Sequence, residues 1–583
     1  MDQDKRERGV LPSFASSRAV LSYLLNVSPL VMALGALLLL VTLPPLVYLV
    51  QVSFYTTEFD GALGELTFHH YSDLVTNPRF LQNLINTVIY SIGSSAIAIV
   101  IGVIIAWIVE RTNTPFRKYV FVVSIVSLGT PHVLYTISWL LILGKSGPLN
   151  NLLRALFGGD GVYVDVYSMW GMVLVEGFTW GPMSFLLLSS VFRSSDSSFE
   201  EAAMMSGATM PQILRRVTIP LAAPAIFALV LLIFIRAFES FEIPALVGMP
   251  GRVEVLTTDI YAAVNLTLPA NYGQAGAFSV VLLIAVALLL RAYNRMSKSA
   301  EKFQTITGKG FRPRVIDIGR WRYVTMTILF LFLFILLICP VGIVLLASLQ
   351  RFYETVNLRA FTDATLYNYI QVFRSGSFRS TIANSLILGV GSATLTCILT
   401  SLIAWLAVRR HPGASFLDQL ATAPLVAPAI VMGIAFMQVF LRLPFSMYGS
   451  LVGLVIAITV QSLPYGMRYS YAGVMQIHHG LEEAAIMAGA TTRATFLRIV
   501  VPLIAPALIS CWLFVFLVSV RGVSMAVLLA GPNSKVIAVT LFELWANGQT
   551  PELAAMGMTW MTFMTALSAL FYIAARKYGV AAR

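Results

Sequence analysis

Residues 200–225 read EEAAMMSGATMPQILRRVTIPLAAPA, and residues 482–507 read EEAAIMAGATTRATFLRIVVPLIAPA. The two stretches align without a gap at an offset of 282, and fourteen of their 26 positions are identical. A second series repeats earlier in the chain. Tyr71, Phe80, Asn86, Gly93, Ser94, Trp107 and Arg111 match Tyr369, Phe378, Asn384, Gly391, Ser392, Trp405 and Arg409 at an offset of 298. The chain is therefore two tandem copies of one plan.

Working outward, both copies are set among long apolar runs. Of the 583 residues, 58% are hydrophobic and only 11% charged, and the mean hydropathy is +0.81. A soluble domain is about a quarter charged, so a conventional cytosolic enzyme is excluded. Apolar runs fall at 29–50, 84–109, 119–143, 168–192, 221–247 and 275–293, then at 323–349, 382–408, 418–441, 450–472, 503–530 and 554–575. Each is close to the 20 or so residues a spanning helix needs. An open backbone in lipid leaves its polar groups unsatisfied, so helices are expected throughout.

These runs predict an all-α membrane protein of twelve transmembrane helices in two tandem six-helix repeats. Residues 1–28 form an N-terminal tail, 29–293 the first repeat, 294–322 a basic linker and 323–583 the second repeat. The run from Pro29 to Val50 is too long for a signal-peptide core and no A-x-A site follows it.

Lys and Arg bias toward cytoplasmic loops. With the N-terminus inside, and Arg291 at a segment end counted with the linker that follows, the inner tails and loops carry 26 of the 39 Lys and Arg, the outer loops 10 and the segments 3. Both termini are expected in the cytoplasm. Six segments per half give the repeats one orientation, related by an axis normal to the membrane. No basic stripe interleaved with aromatics suggests nucleic acid. Cys339, Cys397 and Cys511 sit in apolar runs without metal-ligand spacing and read as small buried hydrophobes.

The repeated loop lies on the inner side in both halves. Its Glu, Ala and Met favour a short helix, and Ser198 with Glu201 has capping-box spacing. Gly207 and Gly489 end that helix or permit a turn. Pro220 and Pro502 suit the first turn of the helix that re-enters the membrane. Small residues on an exposed helix, present twice on one side, point to a close-packing partner.

The loop resembles the EAA motif of binding-protein-dependent ABC importer permeases of the type I import fold. Glu201-Ala202-Ala203, Gly207, Val217, Ile219 and Pro220 carry the likeness in the first copy. Glu483-Ala484-Ala485, Gly489, Ile499, Val501 and Pro502 carry it in the second. The resemblance implies that each loop, with Glu200 and Glu482 at its head, is a coupling helix seated on one of two cytoplasmic ABC ATPase subunits. It also implies an external, periplasmic or lipid-anchored, substrate-binding protein and a place in the inner membrane. The fused form is similar to the ferric-iron permeases, and also to the thiamine ones. The fragment ESFEIPALVG followed by VLTTDIY looks like the ferric-iron group too.

No G-x-x-x-x-G-K-[ST] loop occurs, and Gly308-Lys309-Gly310 lacks the spacing. The chain is expected to bind no cofactor, to catalyse nothing and to rely on ATP used by the partner. Apart from Arg291 and Asp418 at segment ends, six ionisable residues fall in apolar segments: Glu176, Arg236, Glu239, Glu242, Arg468 and Arg521. Such residues are costly there and are functional candidates. At 1.5 Å per residue, Glu176, Glu239 and Glu242 fall in the outer half. Arg236, Glu239 and Glu242 are spaced three apart, as on one helical face, and Arg521 is the repeat equivalent of Glu239.

Two readings stay open for this set: a neutral structural network, or a translocation path of Glu176, Glu239, Glu242 and Arg521. Arg468 reads as a snorkelling or interface arginine. His69-His70 and His478-His479 read as solvated pairs. Outer carboxylates suit hard Fe³⁺ and equally a thiamine or polyamine cation. A secondary transporter with twelve segments would need neither the paired loops nor an ATPase. A membrane enzyme would need a catalytic set, which is absent from the segments.

Overall fold

A computed structural model of the chain describes residues 28–57, 63–159, 161–194, 198–301, 317–354 and 362–577. The N-terminal tail and most of the basic linker lie outside the described residues. Among those described, nine helices are long and apolar enough to cross a bilayer. In the first half they are Pro29–Ser53, Pro78–Arg111, Met169–Arg193, Leu214–Phe238 and Tyr272–Met296. In the second they are Trp321–Leu349, Gly376–Val408, Leu451–Met475 and Thr492–Arg521. The run expected at 554–575 lies inside Thr550–Lys577. This is a multi-pass membrane protein.

The third run of each half is not a straight helix. Residues 119–143 resolve into Arg117–Gly129 and His132–Leu143. Their counterparts Ala414–Val426 and Ala429–Phe440 meet at 110°, and count as a tenth span if the bent pair is one crossing. The cause is a proline in each break. Pro131 (φ −57°, ψ 132°) and Pro428 (φ −54°, ψ 150°) are extended, and a proline pushes the residue before it out of the helical region.

The described contacts divide the chain into two units. One collects the residues up to Pro44, Gly391–Leu425 and Thr459–Phe516; the other holds Pro45–Val390, Val426–Ile458 and the chain from Leu517 onward. In the first unit Val31, Leu34 and Leu38 pack into a core of second-half residues that includes Ile403, Trp405, Leu417, Met467, Phe496 and Val500. In the second unit the exchange runs the other way. Thr325, near the start of the second half's first helix, hydrogen-bonds Thr114 (2.7 Å), and Asn113 donates to Asp317 (2.7 Å). Each half's opening helix thus packs on the other half.

The repeat is visible bond by bond. Ser53 bonds the Tyr71 hydroxyl at 2.7 Å, and Ser348 bonds that of Tyr369 at 2.8 Å. Asn86 donates to Glu254 O and Asn384 to Lys535 O, both at 3.0 Å. Leu256 N–H donates to Thr87 and Ile537 N–H to Ser385. Close helix approach is repeated with its glycine exchanged. A Cβ on Gly102 would meet Ser184 at 2.5 Å, whereas in the second half Thr400 faces Gly466, where a Cβ would meet it at 2.8 Å. Small residues let membrane helices approach this closely. The two offsets differ because Gly144–Ser168 is 16 residues longer than Arg442–Ser450. That extra length holds the helix Pro148–Phe157, tied down by the buried Asn150 amide, which donates to the carbonyls of Leu143, Gly144 and Val164.

Candidate functional site

On the side read as inner, the repeated loop folds as a short helix, a turn and a re-entering helix in both halves. The short helices are Ser198–Met205 and Gly480–Met487. Each ends on its glycine in the left-handed region, Gly207 at φ +79° and Gly489 at φ +87°. Ala208 N–H donates to Ala203 O and Ala490 N–H to Ala485 O, both at 3.0 Å. These bonds close the free carbonyls as a glycine C-cap does. A π-turn follows at Leu214–Thr218 and Phe496–Val500, then Pro220 and Pro502 at the second residue of Ile219–Phe238 and Val501–Arg521. A proline has no N–H to give the preceding turn, which suits the wider turn before it. The side chain of Ser198 lies outside the described groups.

The adjacent glutamates of each loop have different surroundings. Glu482 is buried and accepts from Trp405 Nε1 (2.9 Å), Arg409 Nε (2.8 Å) and Arg409 Nη2 (2.5 Å). Glu200 is buried against Arg111 (3.4 Å) and accepts from the Thr218 hydroxyl (2.7 Å). The two repeat series therefore meet: Trp405 and Arg409 come from one offset, Glu482 from the other. Glu483 is exposed beside His479 (2.9 Å), and Glu201 is half-buried. Ala202 and Ala484 are exposed, Ala203 and Ala485 half-buried. Met205 is 90% and Met487 88% exposed, with Phe199 and Leu481 exposed at the other end of each helix. The roles of Arg111, Trp405 and Arg409 were visible in sequence only as repeat identities.

The charges read in the outer half lie elsewhere in the same unit as the first loop. The fifth segment was expected to run to residue 247, but its helix stops at Phe238, and its counterpart stops at Arg521 instead of 530. Arg236, Glu239 and Glu242 therefore do not share a helical face. The reason lies in where the polar groups find partners. Glu239, Ser240 and Glu242 satisfy their polar groups by leaving the helix. Glu239 pairs with Arg236. Ser240 donates to Glu176 (3.3 Å) and its carbonyl accepts from Thr257 (2.7 Å). Glu242 accepts from Ser524 Oγ (3.0 Å) and Val523 N–H (3.3 Å). Glu176, also buried, accepts from Trp180 Nε1 (2.9 Å).

His132, at the start of its helix and packed edge-on to Trp180, lies within electrostatic reach of Arg521 and Glu242. Sequence reading missed it; the signal was a lone histidine directly after Pro131. Among the described residues no group of three His, Cys, Asp or Glu side chains is arranged to hold a metal. The reading of His69-His70 as solvated needs correction, because His70 is buried with Nε2 3.1 Å from Tyr55 O.

On the side read as outer, Arg79 forks onto Glu254 (2.8 and 2.6 Å), and Asn83 donates to both oxygens of Asp259 (2.9 and 2.8 Å). Burial, with Glu254 adding to it, pushes the Asp259 carboxyl up to about 6. A carboxyl raised above its unfolded value favours the folded state at low pH and loses that contribution as pH rises through about 6. Relative to Asp259→Asn, the melting temperature of the unaltered protein is expected to fall between pH 5 and pH 8. A pH-independent difference would show that Asp259 titrates normally.

Two segments, residues 98–296 and 398–578, match the model of the binding-protein-dependent transport system inner membrane component. The matched stretches hold both loops and most of the chain. The chain belongs to this family. Its members are transport permeases and not catalytic subunits. The ferric transport system permease protein FbpB of Actinobacillus pleuropneumoniae is 26% identical over 85% of this chain and 70% of its own length. A Haemophilus influenzae chain whose name also assigns it to ferric transport is 25% identical over 85% of this chain and 77% of its own. The sulfate transport system permease protein CysW of Escherichia coli is 27% identical over 38% of this chain and 72% of its own.

Proposed function

We propose that this chain is the membrane subunit of an ATP-driven importer that carries ferric iron from an external binding protein to the cytoplasm by alternating access. Twelve crossings of the inner membrane leave both termini in the cytoplasm. Two copies of a cytoplasmic ATPase seat on Ser198–Met205 and Gly480–Met487 and hydrolyse the ATP; this chain holds no cofactor. The observation that carries the reading is the matched pair of short helices, each anchored by a buried glutamate and each presenting a methionine about nine-tenths exposed. Exposed apolar side chains at equivalent places mark a surface kept for a partner.

Cargo follows from the outer carboxylates. Glu176, Glu239 and Glu242, with Arg521, line the path, and a set with three acids favours a cation over an anion such as sulfate. Hard oxygen donors suit Fe³⁺. Thiamine or a polyamine is the second reading, favoured by the same charges.

Cells lacking the chain should regain uptake of radioactive ferric iron when it is restored. That uptake should vanish when ATP is depleted with the ion gradient preserved. Return of labelled thiamine uptake alone would replace the cargo. Uptake that follows the gradient and ignores ATP would replace the class.

A further inference from the structure

Two contacts in the outer site join residues to their own repeat equivalents. Glu242 bonds Ser524, 282 positions away, and 282 is the offset that aligns the two loops. Tyr261 and Phe542, 281 positions apart, meet edge to face at 6.3 Å, and Phe241 touches both rings. A residue reaches its twofold mate only where the symmetry axis passes between them. Within the unit that holds these residues, the pseudo-twofold axis relating the equivalent segments of the two halves therefore runs beside Glu242.

The axial pair is asymmetric in a useful way. Two glutamates facing each other would repel, and two serines would place no charge on the axis. A fused chain lets the sides differ, so an acceptor faces a donor. Glu242 is 9% exposed, Ser524 8% and Val523 0%, and the Glu242 carboxylate accepts from both Val523 N–H and Ser524 Oγ in one turn of the second half. His132 and Arg521 stand close by.

We propose that Glu242 and Ser524 form an axial latch on the translocation path. Closed, the latch spends the carboxylate on the second half's hydroxyl and N–H, and it seals the axis with Phe241, Tyr261 and Phe542. When the halves part, the bonds break and a free carboxylate faces the axis, where it meets the incoming cation. The inference rests on the cation-importer reading for its last step only; the latch itself requires no particular cargo. Because the positions are equivalent, the side from which the carboxylate projects is immaterial.

The test uses the assembled transporter with its ATPase and binding protein. Glu242→Ser and Ser524→Glu should each lower ferric uptake by about tenfold or more. The double exchange, Glu242→Ser with Ser524→Glu, should recover most of it; an exchange no better than either single change overturns the latch. A second measurement reads the latch without cargo. With Cys339, Cys397 and Cys511 replaced by Ala, Ser524→Cys should react with a membrane-impermeant maleimide about tenfold faster in the vanadate-trapped state than at rest. Equal rates overturn the latch. A rate change with no ferric uptake in any variant keeps the latch and overturns the iron reading.

Discussion

Replacing Glu482 by Ala is expected to leave the chain in the membrane and to lower ATP-driven uptake by about a hundredfold. The argument begins with Arg409, whose side chain is 10% exposed and whose guanidinium gives Nε and Nη2 to the Glu482 carboxylate. Removing one member of a buried pair strands the other, at a cost of about 3–5 kcal/mol. The helix at stake is short, Gly480–Met487, and a helix of that length has little stability of its own in water. Its docked position depends on the ties at its first turn, which are Glu482 to Trp405 and to Arg409.

Glu482→Gln should fall between, because an amide keeps one acceptor for Trp405 or Arg409 but loses the charge. Glu200→Ala should act in the same direction through Arg111, whose side chain is fully buried. Limited proteolysis within residues 476–492 reads the anchoring directly. Faster cleavage with retained membrane insertion is the expected pattern. Unchanged cleavage and uptake would show that the buried pair does not hold the loop.

Much of this arrangement was legible before any coordinates. Apolar runs placed the spanning helices because lipid admits few alternatives, and the paired loops stood out because the chain repeats itself. Gly207 and Gly489 were readable as helix ends since only a residue without Cβ sits easily at φ +79° and +87°. The illegible parts depend on which polar group finds which partner. Hydropathy carried the fifth run through Glu239 and Glu242 to residue 247, but Ser524 and Thr257, distant in sequence, supply the bonds that let the chain leave the helix. Arg521 was matched to Glu239 by arithmetic, and at the same offset Glu242 meets Ser524, a contact that arithmetic alone does not reveal. The third runs hid their breaks for a similar reason: Pro131 and Pro428 lie in stretches as apolar as any helix. The exchange of opening helices between halves left no local trace, since an apolar helix carries no mark of the core it joins.

Met487→Asp, and the matching Met205→Asp, should abolish coupling while leaving the fold untouched. With 88% and 90% of their surfaces exposed, these side chains contribute little to stability, and substitutions at such positions usually stay within about 0.5 kcal/mol. A carboxylate there would have to be desolvated against a partner's apolar groove, where the loss of one well-packed anchor costs about 2 kcal/mol or more. Each single change should weaken capture of the ATPase by about thirtyfold, and the pair should eliminate it. Equilibrium co-purification at fixed ATPase concentration measures this, with the melting temperature as the control. Undiminished capture in the double variant would remove the docking face from these helices, even if Glu482→Ala behaves as expected. The two experiments therefore separate jobs that the motif EEAA merges in sequence. Its first glutamate ties the helix to the buried Trp405 and Arg409, and the surface proposed for the partner is the rest of that helix, ending at the exposed Met487.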